Sequence, residues 1–475
     1  MITLTAETAD EDHMTGERGQ GYRQWLAERT VAVVGLARSG VAAARLIRRL
    51  GGRVLASDSG RLESLSREAQ ELEQLGCRLW VNGHPDAAFE GAELVVVSPG
   101  VPLELPVLEA ARARSVPVIS ELELGWRVME ADLIAITGTN GKTTTTALTG
   151  ELVGGTVRPV LVGGNIGTPL SAHALDFPAD GLIVAEASSF QLEAIELLRP
   201  RVAVVLNVTP DHLDRHGTVD RYVEAKARIF ANQTAADCAV LNADDPVTAA
   251  LAPRTRARVL WFSRLRALDH GVFVRSGAIV AKLNGHVEEI CPLADIPLRG
   301  QHNVENVLAA TAGALWTGMA PDAIRRGIGV FRGVPHRIEF VRDIGGVAFF
   351  NDSKGTNVAS TIRALESFGE PIVLIAGGKG KGQDFGPLAQ VARGRVGHAV
   401  LIGEDGEKVG QALQAAGVPV TPAASFEAAI RTARGLAGPG HVVLLSPACA
   451  SFDMFDSFEH RGDVFRALVL ALPEH

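Results

Sequence analysis

ITGTNGKTTTT, residues 136–146, stands at the end of the apolar run DLIAIT and directly before the helix-forming segment ALTGELV. A glycine-rich loop between a strand and a helix aims backbone N–H groups and a helix N-terminus at an anion. We therefore expect Lys142 to reach the terminal phosphates of a nucleotide and Thr143 to supply a hydroxyl to Mg²⁺. The loop departs from the GxxxxGK[ST] spacing, because its first glycine is Gly138. A Thr/Gly-rich turn that binds nothing is the alternative, and the order of strand, loop, lysine and helix disfavours it.

Short apolar runs alternate with helix-length segments along the chain. Runs rich in Val, Ile and Leu indicate parallel strands buried on both faces, and their spacing indicates βαβ units in an open α/β sheet. Ligands of such sheets gather at the carboxyl ends of the strands. The predicted strands are 30–35, 53–57, 94–98, 132–137, 181–186, 202–207, 371–376, 398–402 and 441–446.

The 475 residues divide into three predicted α/β blocks, as expected at about 150 residues per domain. The first covers 1–120, and its polar, acid-rich residues 1–20 are predicted to be a disordered tail. The second covers 121–333 and includes a polar, β-rich insertion near 264–297. The third covers 334–475.

Composition excludes several classes of protein. Asp and Glu (54) outnumber Lys and Arg (46), so the formal net charge is −8, which disfavours nucleic-acid binding. The four cysteines form no CxxC pair, which excludes a disulfide scaffold and a zinc ribbon. The N-terminus lacks the apolar core of a secretory signal, and no run approaches the roughly 20 apolar residues of a membrane span. We expect a cytoplasmic protein with no nucleic-acid partner and no membrane insertion.

Several motifs in a fixed order resemble the Mur ligase family and its folylpolyglutamate synthetase relatives. The resemblance implies a three-domain α/β architecture, with Rossmann-like N- and C-terminal domains and a central P-loop-type ATPase domain. It also implies a monomer that uses ATP and two Mg²⁺ ions to form an amide. The motifs are TGTNGKTT (137–144), GGNIG (163–167), EASSFQLE (186–193), NVTPDHLDRHG (207–217), EAKARIF (224–230), GQHNVENVLAA (300–310), HRIEF (336–340), NDSKGTN (351–357), AGGKGKGQDF (376–385) and SPACASFDMFDSFEHRG (446–462).

The third block indicates which reaction the family resemblance implies. NDSKGTN and SPACASFD are similar to the segments of family members that join D-glutamate to UDP-N-acetylmuramoyl-L-alanine through an acyl phosphate. Sister ligases and the folate enzyme, which carry DxxHxP, DxYNANP or DGAHN segments, are the alternative within the class. Gly355 replaces the usual alanine, a small-for-small change that puts little of this resemblance in doubt.

GLARSG, residues 35–40, is a near miss to the dinucleotide fingerprint. Ala37 replaces the middle glycine where a pyrophosphate would need bare backbone, so an NAD-dependent oxidoreductase is disfavoured. The resemblance implies that this block holds the UDP part of the substrate instead. The implied contacts are Arg38, Ser39, Asp58, Ser98, Asn165 and His212.

Glu186 ends a buried apolar run, where an unpaired carboxylate would be costly. It could cap the following helix, and the resemblance makes it a Mg²⁺ ligand beside Thr143. The resemblance gives His212 a place at the second Mg²⁺ and at the substrate carboxylate, although a surface-loop histidine is the alternative. Lys226 alone would indicate a solvated helix face. The resemblance implies that CO₂ converts it to a carbamate that binds the second Mg²⁺, and it makes Lys142, His212 and Lys226 the catalytic residues.

The resemblance also implies the remaining contacts to ATP and D-glutamate. Adenine lies against one face of a helix, Arg337 meets the γ-phosphate, Asp352 the ribose hydroxyls and Lys354 the phosphates. The implied ATP contacts are Gly138, Thr139, Asn140, Gly141, Lys142, Thr143, Thr144, Thr145, Asn303, Asn306, Arg337, Asp352 and Lys354. The implied D-glutamate contacts are Thr356, Lys381, Ser451 and the backbone of Phe458. A nucleotide-binding regulatory module is the alternative from another class, and it leaves Glu186, His212 and Lys226 without a role.

Overall fold

A computed structural model describes residues 18–155, 157–380 and 382–474. The helices, numbered α1 to α17, are Gly19–Ala27, Arg38–Leu50, Arg67–Gln70, Pro106–Ala113, Glu121–Val128, Lys142–Gly154, Ser189–Glu193, Leu213–His216, Val219–Ala227, Pro246–Ala249, Gln301–Trp316, Pro321–Val330, Val358–Glu366, Gly386–Ala392, Gly406–Ala415, Phe426–Leu436 and Phe458–Ala471. The strands, numbered β1 to β20, are Thr30–Val34, Arg53–Ser57, Arg78–Trp80, Leu94–Val97, Val118–Ser120, Asp132–Thr137, Val160–Gly164, Leu182–Glu186, Val202–Val205, Cys238–Asn242, Arg258–Ser263, Gly271–Arg275, Ala278–Leu283, His286–Pro292, Glu339–Ile344, Val347–Asn351, Ile372–Gly377, Val396–Ile402, Val420–Pro422 and Val442–Leu445.

The first sheet is parallel, with strand order β3-β2-β1-β4-β5. Every residue of β1 and β4 is buried, as expected for apolar strands covered on both faces. The strand order reverses between β1 and β4, so a crevice opens at their carboxyl ends. The GLARSG loop follows β1, and Ser98 follows β4.

The central sheet has the order β14-β13-β12-β11-β10-β9-β6-β8-β7. It is parallel from β7 to β12, and β13 and β14 add to it in antiparallel fashion. The β-rich segment predicted near 264–297 is confirmed as β12, β13 and β14, which extend this sheet. The β6 strand lies between β8 and β9, so the loops after these three strands meet at one edge.

The third sheet has the order β15-β16-β20-β17-β18-β19, with β15 antiparallel to the rest. It lies in a compact unit formed by Ile296–Val304 and the chain from Val330 onward. The first two sheets belong to the other compact unit, which consists of the chain up to Asp295 together with Glu305–Gly329. The reversal of strand order at β20 brings the ends of β16, β17 and β20 together.

The nine predicted strands and the α/β class are confirmed. The pattern missed short strands, such as β3 and β5 with three residues each, and the hairpin β15–β16. It also missed the longer parallel strands β7, β10 and β11 of the central sheet. Among the described residues, no helix is long and apolar enough to cross a membrane.

Positions 1–17 of the predicted disordered tail lie outside the described residues. For its last three positions, 18–20, the prediction is wrong. The first helix begins at Gly19. The Arg18 guanidinium donates to Trp126 O at 3.2 Å and lies 4.5 Å from the centre of the Trp126 ring. A cation packed on an aromatic face gives this end of the chain a fixed place on the fold.

Candidate functional site

The glycine-rich loop joins β6 to α6, as the motif predicts. Gly138 (φ 154°) and Gly141 (φ 84°) adopt backbone conformations that side-chain-bearing residues rarely reach. Lys142 opens α6, and its ammonium group donates to Gly138 O (2.8 Å) and Thr139 O (2.9 Å). The loop thus wraps around its own lysine, at the positive end of a 13-residue helix.

Asn207, which follows β9, fixes the shape of this loop. Thr139 N donates to Asn207 O, and Asn140 N donates to Asn207 Oδ1, both at 2.9 Å. Asn207 Nδ2 donates back to Asn140 O at 3.1 Å. The sequence analysis assigned Asn207 no role, although a polar residue at the end of a buried strand next to the loop's own strand was an available signal.

Glu186 ends β8 and is 2 % exposed. Thr143 Oγ1 donates to one of its carboxylate oxygens and Asn165 Nδ2 to the other, both at 2.8 Å. The helix-cap alternative is wrong, because Ser188 caps α7 in a capping box with Gln191. The Glu186 carboxylate therefore contacts the nucleotide-binding loop instead. Three of the predicted residues, Thr143, Asn165 and Glu186, meet here.

Lys226, on α9, is 1 % exposed, so the solvated-face interpretation is wrong. Its Nζ donates to Gly138 O at 2.9 Å and lies 4.4 Å from the centre of the Tyr222 ring. Burial and the nearby charge of Lys142 hold the pKa of Lys226 well below its usual range. Burial therefore favours the uncharged form of this amine, which lies against the nucleotide-binding loop.

His212 follows β9 and begins the short helix α8, with a left-handed backbone (φ 51°). Its ring packs edge-on against Phe190 with centroids 5.1 Å apart, and its Nε2 lies 3.7 Å from Asp211 Oδ2. The His212 side chain is half exposed, as the surface-loop alternative predicts. The loop that carries it lies at the carboxyl edge of the central sheet.

No group of three or more His, Cys, Asp or Glu side chains within 18–155, 157–380 and 382–474 is arranged to hold a metal ion. The predicted metal set contains only two such residues, Glu186 and His212. Its other members would donate oxygen, from the Thr143 hydroxyl and from the carbamate that the resemblance implies at Lys226. Hard oxygen donors suit Mg²⁺, which usually keeps several waters. The donor chemistry at the loop therefore fits Mg²⁺.

The rest of the loop contacts α11. Thr145 Oγ1, on α6, donates to Asn306 Oδ1, on α11, at 3.2 Å. Thr144, the preceding residue of α6, is buried. A Cβ at Gly141 would lie 2.2 Å from Asn306 Oδ1, so only glycine fits there. Asn306 thus lies against the loop, as the implied adenine-side role requires. Asn303 belongs to the other compact unit, and its Nδ2 donates to Arg299 O at 2.6 Å.

Four of the six residues implied for UDP binding lie around the GLARSG loop. Asp58 follows β2 and accepts hydrogen bonds from Leu36 N (2.6 Å) and Gly60 N (2.7 Å). Ser98 Oγ donates to Gly35 O at 2.7 Å. Arg38 and Ser39 open α2 beside them, and Arg38 is exposed. Two of the four residues shape the crevice and the other two lie at its helix N-terminus.

Asp352 follows β16 in the C-terminal unit and is 4 % exposed. Ser446 Oγ donates to its Oδ2 at 2.7 Å, and Ile338 N donates to its Oδ1 at 3.3 Å. Burial raises the pKa of Asp352 to about 6, although the Ser446 hydrogen bond and the charge of Arg337 oppose the shift. A Cβ on Gly355 would lie 2.5 Å from Asp352 Oδ2, so an alanine here would require the Asp352 carboxylate to move.

Arg337 lies next to this carboxylate on a strained turn. Its neighbours His336 (φ 63°) and Ile338 (φ 44°) both adopt left-handed conformations, which cost free energy in residues other than glycine. The buried Nε of Arg337 has no hydrogen-bond partner among the described residues. A guanidinium held in this way suits an anionic ligand.

The residues implied for D-glutamate lie on loops of the same unit, except that Lys381 lies outside the described residues. Ser451 is buried, and Phe458 opens the 14-residue helix α17. Thr356 N donates to Lys354 O at 2.9 Å, and the Lys354 ammonium lies 5.7 Å from the centre of the Phe458 ring.

Arg461, on α17, is a further residue that the sequence analysis missed. It is 1 % exposed and donates to Ser353 Oγ (2.9 Å), Ser353 O (2.8 Å) and Cys449 O (3.2 Å). Burial lowers its pKa to about 10. One guanidinium thus ties the NDSKGTN loop to the SPACAS loop. An arginine among buried positions of an otherwise amphipathic helix was the available signal.

Family models match most of the chain. The Mur ligase MurD-like N-terminal domain matches residues 29–120, the Mur ligase middle domain 136–314, and the Mur ligase glutamate ligase domain 336–449. Similar curated proteins carry the name UDP-N-acetylmuramoylalanine–D-glutamate ligase. The protein from Pelotomaculum thermopropionicum is 48 % identical over 94 % of this chain and 98 % of its own, and that from Acidobacterium capsulatum 48 % identical over 94 % and 97 %.

Solved structures with similar folds are more distant in sequence. The UDP-N-acetylmuramate–alanine ligase of Thermotoga maritima superposes with a TM-score of 0.59 at 20 % identity, covering 94 % of this chain and all of its own. A pseudomurein peptide ligase type C from Methanothermus fervidus superposes with a TM-score of 0.57 at 17 % identity, covering 93 % and 99 %. These matches support the architecture alone.

Proposed function

The chain belongs to the Mur ligase family, and we propose that it joins D-glutamate to the L-alanine carboxylate of UDP-N-acetylmuramoyl-L-alanine in peptidoglycan precursor synthesis. The enzyme is then an ATP-dependent acid–D-amino-acid ligase. The observation that carries the proposal is the cluster at the carboxyl edge of the central sheet. There the loop lysine Lys142, the buried carboxylate of Glu186 and the buried amine of Lys226 surround one anion-binding loop.

A carboxylate is a poor electrophile, so it must be activated before an amine can attack it. In the proposed first step a carboxylate oxygen of the substrate attacks the γ-phosphorus of ATP, and the bond to ADP breaks. The D-glutamate nitrogen then attacks the acyl carbon, the phosphate leaves with the electron pair of the C–O bond, and the amine loses a proton. Lys142 and Arg337 would neutralise phosphate oxygens during the first step. Lys354 would bind the same phosphates.

The family uses ATP and Mg²⁺. When bound, Mg²⁺ would stabilise the charge that builds up on the phosphoryl oxygens. We propose that Thr143 and Glu186 hold one ion, and that His212 and a carbamate on Lys226 hold a second. The carbamate forms when the Lys226 nitrogen attacks CO₂ and then loses a proton to solvent. Only a neutral amine can do this, which agrees with the lowered pKa of Lys226.

The carbamate can be tested by ¹³C NMR of the enzyme in ¹³C-labelled bicarbonate. We expect one carbamate signal in the wild type and its absence from the Lys226→Arg variant, whose guanidinium presents no neutral amine. Turnover of this variant should fall at least a hundredfold, because a cation replaces an anionic ligand beside Mg²⁺. The Lys282→Arg variant, at an exposed salt bridge on β13, is the matched control. Absence of the signal from active wild-type enzyme contradicts the modification.

The C-terminal unit is proposed to bind D-glutamate. Its two carboxylates need cations or N–H donors, which Thr356, Lys381, Ser451 and the backbone of Phe458 would provide. The ribose hydroxyls of ATP are assigned to Asp352, and adenine to Asn303 and Asn306. The UDP moiety is assigned to the GLARSG crevice, with Asn165 and His212 at the end that meets the reacting carboxylate.

We further propose three domains, over 1–120, 121–333 and 334–475, in a monomer that works in the cytoplasm. The N-terminal family match ends at residue 120, which supports the first of these boundaries. The four cysteines, all buried and free, suit a reducing compartment.

Phosphate release tests the proposed function. The enzyme is given ATP, Mg²⁺ and UDP-N-acetylmuramoyl-L-alanine, with D-glutamate, L-glutamate, L-lysine or diaminopimelate as the amino acid. We expect turnover only with D-glutamate. Turnover with another amino acid would assign the chain to a sister ligase, and no turnover with any of them would favour a nucleotide-binding module.

A further inference from the structure

A buried polar cluster joins α7 to α8 behind the central site. His216, the last residue of α8, is 3 % exposed, and its Nε2 shares a hydrogen bond with the Ser189 hydroxyl at 3.0 Å. Its Nδ1 faces Glu193 Oε1 at 3.1 Å. Both ring nitrogens are therefore directed at residues of α7, which begins three positions after Glu186.

The imidazole is also stacked between aromatic rings. Phe190 lies parallel to it, with centroids 5.2 Å apart and an interplanar angle of 11°, and Tyr222 packs at 5.0 Å. The same Phe190 ring contacts His212 at 5.1 Å. One phenyl ring thus separates the buried histidine of α8 from the exposed histidine proposed to meet Mg²⁺ and substrate.

This cluster reaches the nucleotide-binding loop through Tyr222. The Tyr222 hydroxyl lies 3.2 Å from Thr139 Oγ1, and its ring faces the Lys226 ammonium at 4.4 Å. His216 N donates to His212 O at 3.0 Å, so the two histidines bracket a single helical turn. A four-residue helix is not stable by itself, and its position must come from such contacts.

Arg215, beside His216, connects the same turn to the first sheet. Its guanidinium donates to Pro99 O (2.8 Å) and Val101 O (2.6 Å), in the loop that begins with Ser98. It also lies over the Phe190 ring at 4.1 Å. The turn 212–216 therefore contacts both the proposed UDP crevice and the proposed metal site.

The order Ser189, His216, Glu193 has the form of a nucleophile, a base and an orienting carboxylate. Ser189 is only 3 % exposed, and it is the first residue of α7. A substrate could not reach its hydroxyl without unfolding the helix. The same contacts are well suited to fixing the direction of the imidazole and hence of the backbone that carries it.

We propose that His216 is a positioning residue, which locks the turn 212–216 onto α7 and so holds His212 and Tyr222 in the geometry that phosphoryl transfer requires. The inference rests on the proposed function, because it assigns His212 to the substrate and the metal. It predicts that loss of the ring nitrogens weakens the use of Mg²⁺ and of the UDP-linked substrate together. Use of D-glutamate, whose proposed contacts lie in the C-terminal unit, stays unchanged.

The test is the His216→Phe variant, which keeps an aromatic ring and removes both nitrogen contacts. We expect the half-saturating Mg²⁺ concentration and the KM for the UDP-linked substrate each to rise about tenfold, the usual scale for a residue that supports a metal ligand. KM for D-glutamate should not change. The His216→Gln variant, which can still hydrogen-bond Ser189, should recover part of the loss. His286→Phe, at an exposed histidine of β14, is the matched control.

Two outcomes overturn the proposal. One is a His216→Phe enzyme with a lower kcat but wild-type dependence on Mg²⁺ and on the UDP-linked substrate, since a purely structural role reduces the active fraction alone. The other comes from hydrogen–deuterium exchange, which needs no turnover. We expect faster exchange across 208–218 in the variant, and unchanged exchange contradicts the anchor even if the proposed reaction is itself wrong. Failure of the reaction would instead appear as wild-type enzyme without D-glutamate-dependent phosphate release.

Discussion

Two buried carboxylates, Glu186 in the central sheet and Asp352 in the C-terminal sheet, occupy equivalent places at strand ends and differ in their surroundings. Glu186 lies near the buried amine of Lys226, and there the pKa shifted by burial belongs to the lysine. Around Asp352 the shift falls on the carboxyl group itself, whose pKa rises to about 6. Burial thus disfavours the charged form of a lysine at the central site and the charged form of a carboxyl group at the C-terminal site. The first arrangement suits a carbamate beside phosphates and metal ions, and the second suits ribose hydroxyls once the carboxyl group is ionised.

The largest effect should come from removing the loop cation. Lys142→Ala deletes the ammonium group that the loop carbonyls of Gly138 and Thr139 surround. We expect kcat to fall about a thousandfold, because a preorganised charge on the transferring phosphoryl group is lost. Steady-state phosphate release measures this, with Lys282→Ala as the matched control at an exposed salt bridge. A loss below tenfold would mean that Lys142 is not at the phosphates.

The next largest effect should come from Asp352, the buried carboxylate of the C-terminal sheet. Only an ionised Asp352 can accept two hydrogen bonds from ribose, so kcat/KM for ATP should fall as the pH drops below about 6. Asp352→Asn should lower this constant about tenfold at pH 8, as expected for losing charge-assisted hydrogen bonds, and should remove the acid limb. The pH profile of both enzymes measures it, with the exposed Asp322→Asn as control. An acid limb that survives in Asp352→Asn contradicts the assignment.

The same carboxyl group makes the free energy of unfolding depend on pH. Its pKa in the folded protein is above the ordinary aspartate value of 3.8, so the folded state favours the protonated form. The stability that this provides is complete below about pH 4 and is lost as the pH rises through about 6. The gain in stability of Asp352→Asn relative to the wild type should therefore grow as the pH rises from about 4 to about 6, as measured by denaturant unfolding. A constant difference across that range would rule out the raised pKa.

The smallest effect comes from the position where this chain departs from its family's pattern. A Cβ at Gly355 would lie 2.5 Å from Asp352 Oδ2 and 2.7 Å from Ser446 Oγ. We expect Gly355→Ala to destabilise the protein by about 1 kcal/mol, since these two side chains can rotate away in part. Gly369→Ala, with open space around it, is the matched control in denaturant unfolding. Equal stability of the two variants would show that Asp352 is not held as described.

The long buried strands and the P-loop were predictable, because continuous apolar runs and a motif with fixed spacing depend on nearby residues alone. The resemblance to a family supplied the distant residues, such as Glu186 and Lys226, whose meeting depends on the order of strands in a sheet. The burial of Lys226 could not be inferred from a helix that looks solvated in sequence. The roles of Asn207, Arg461 and His216 were missed for the same reason, since each acts through a partner more than ten residues away.

The transfer of oxygen tests the central claim, that ATP activates the substrate carboxylate. UDP-N-acetylmuramoyl-L-alanine labelled with ¹⁸O in both carboxylate oxygens is incubated with enzyme, ATP, Mg²⁺ and D-glutamate, and the released phosphate is analysed by mass spectrometry. An acyl phosphate requires one ¹⁸O atom in every phosphate, because the C–O bond breaks when the amine attacks. Phosphate released together with the amide product but without ¹⁸O would contradict the account.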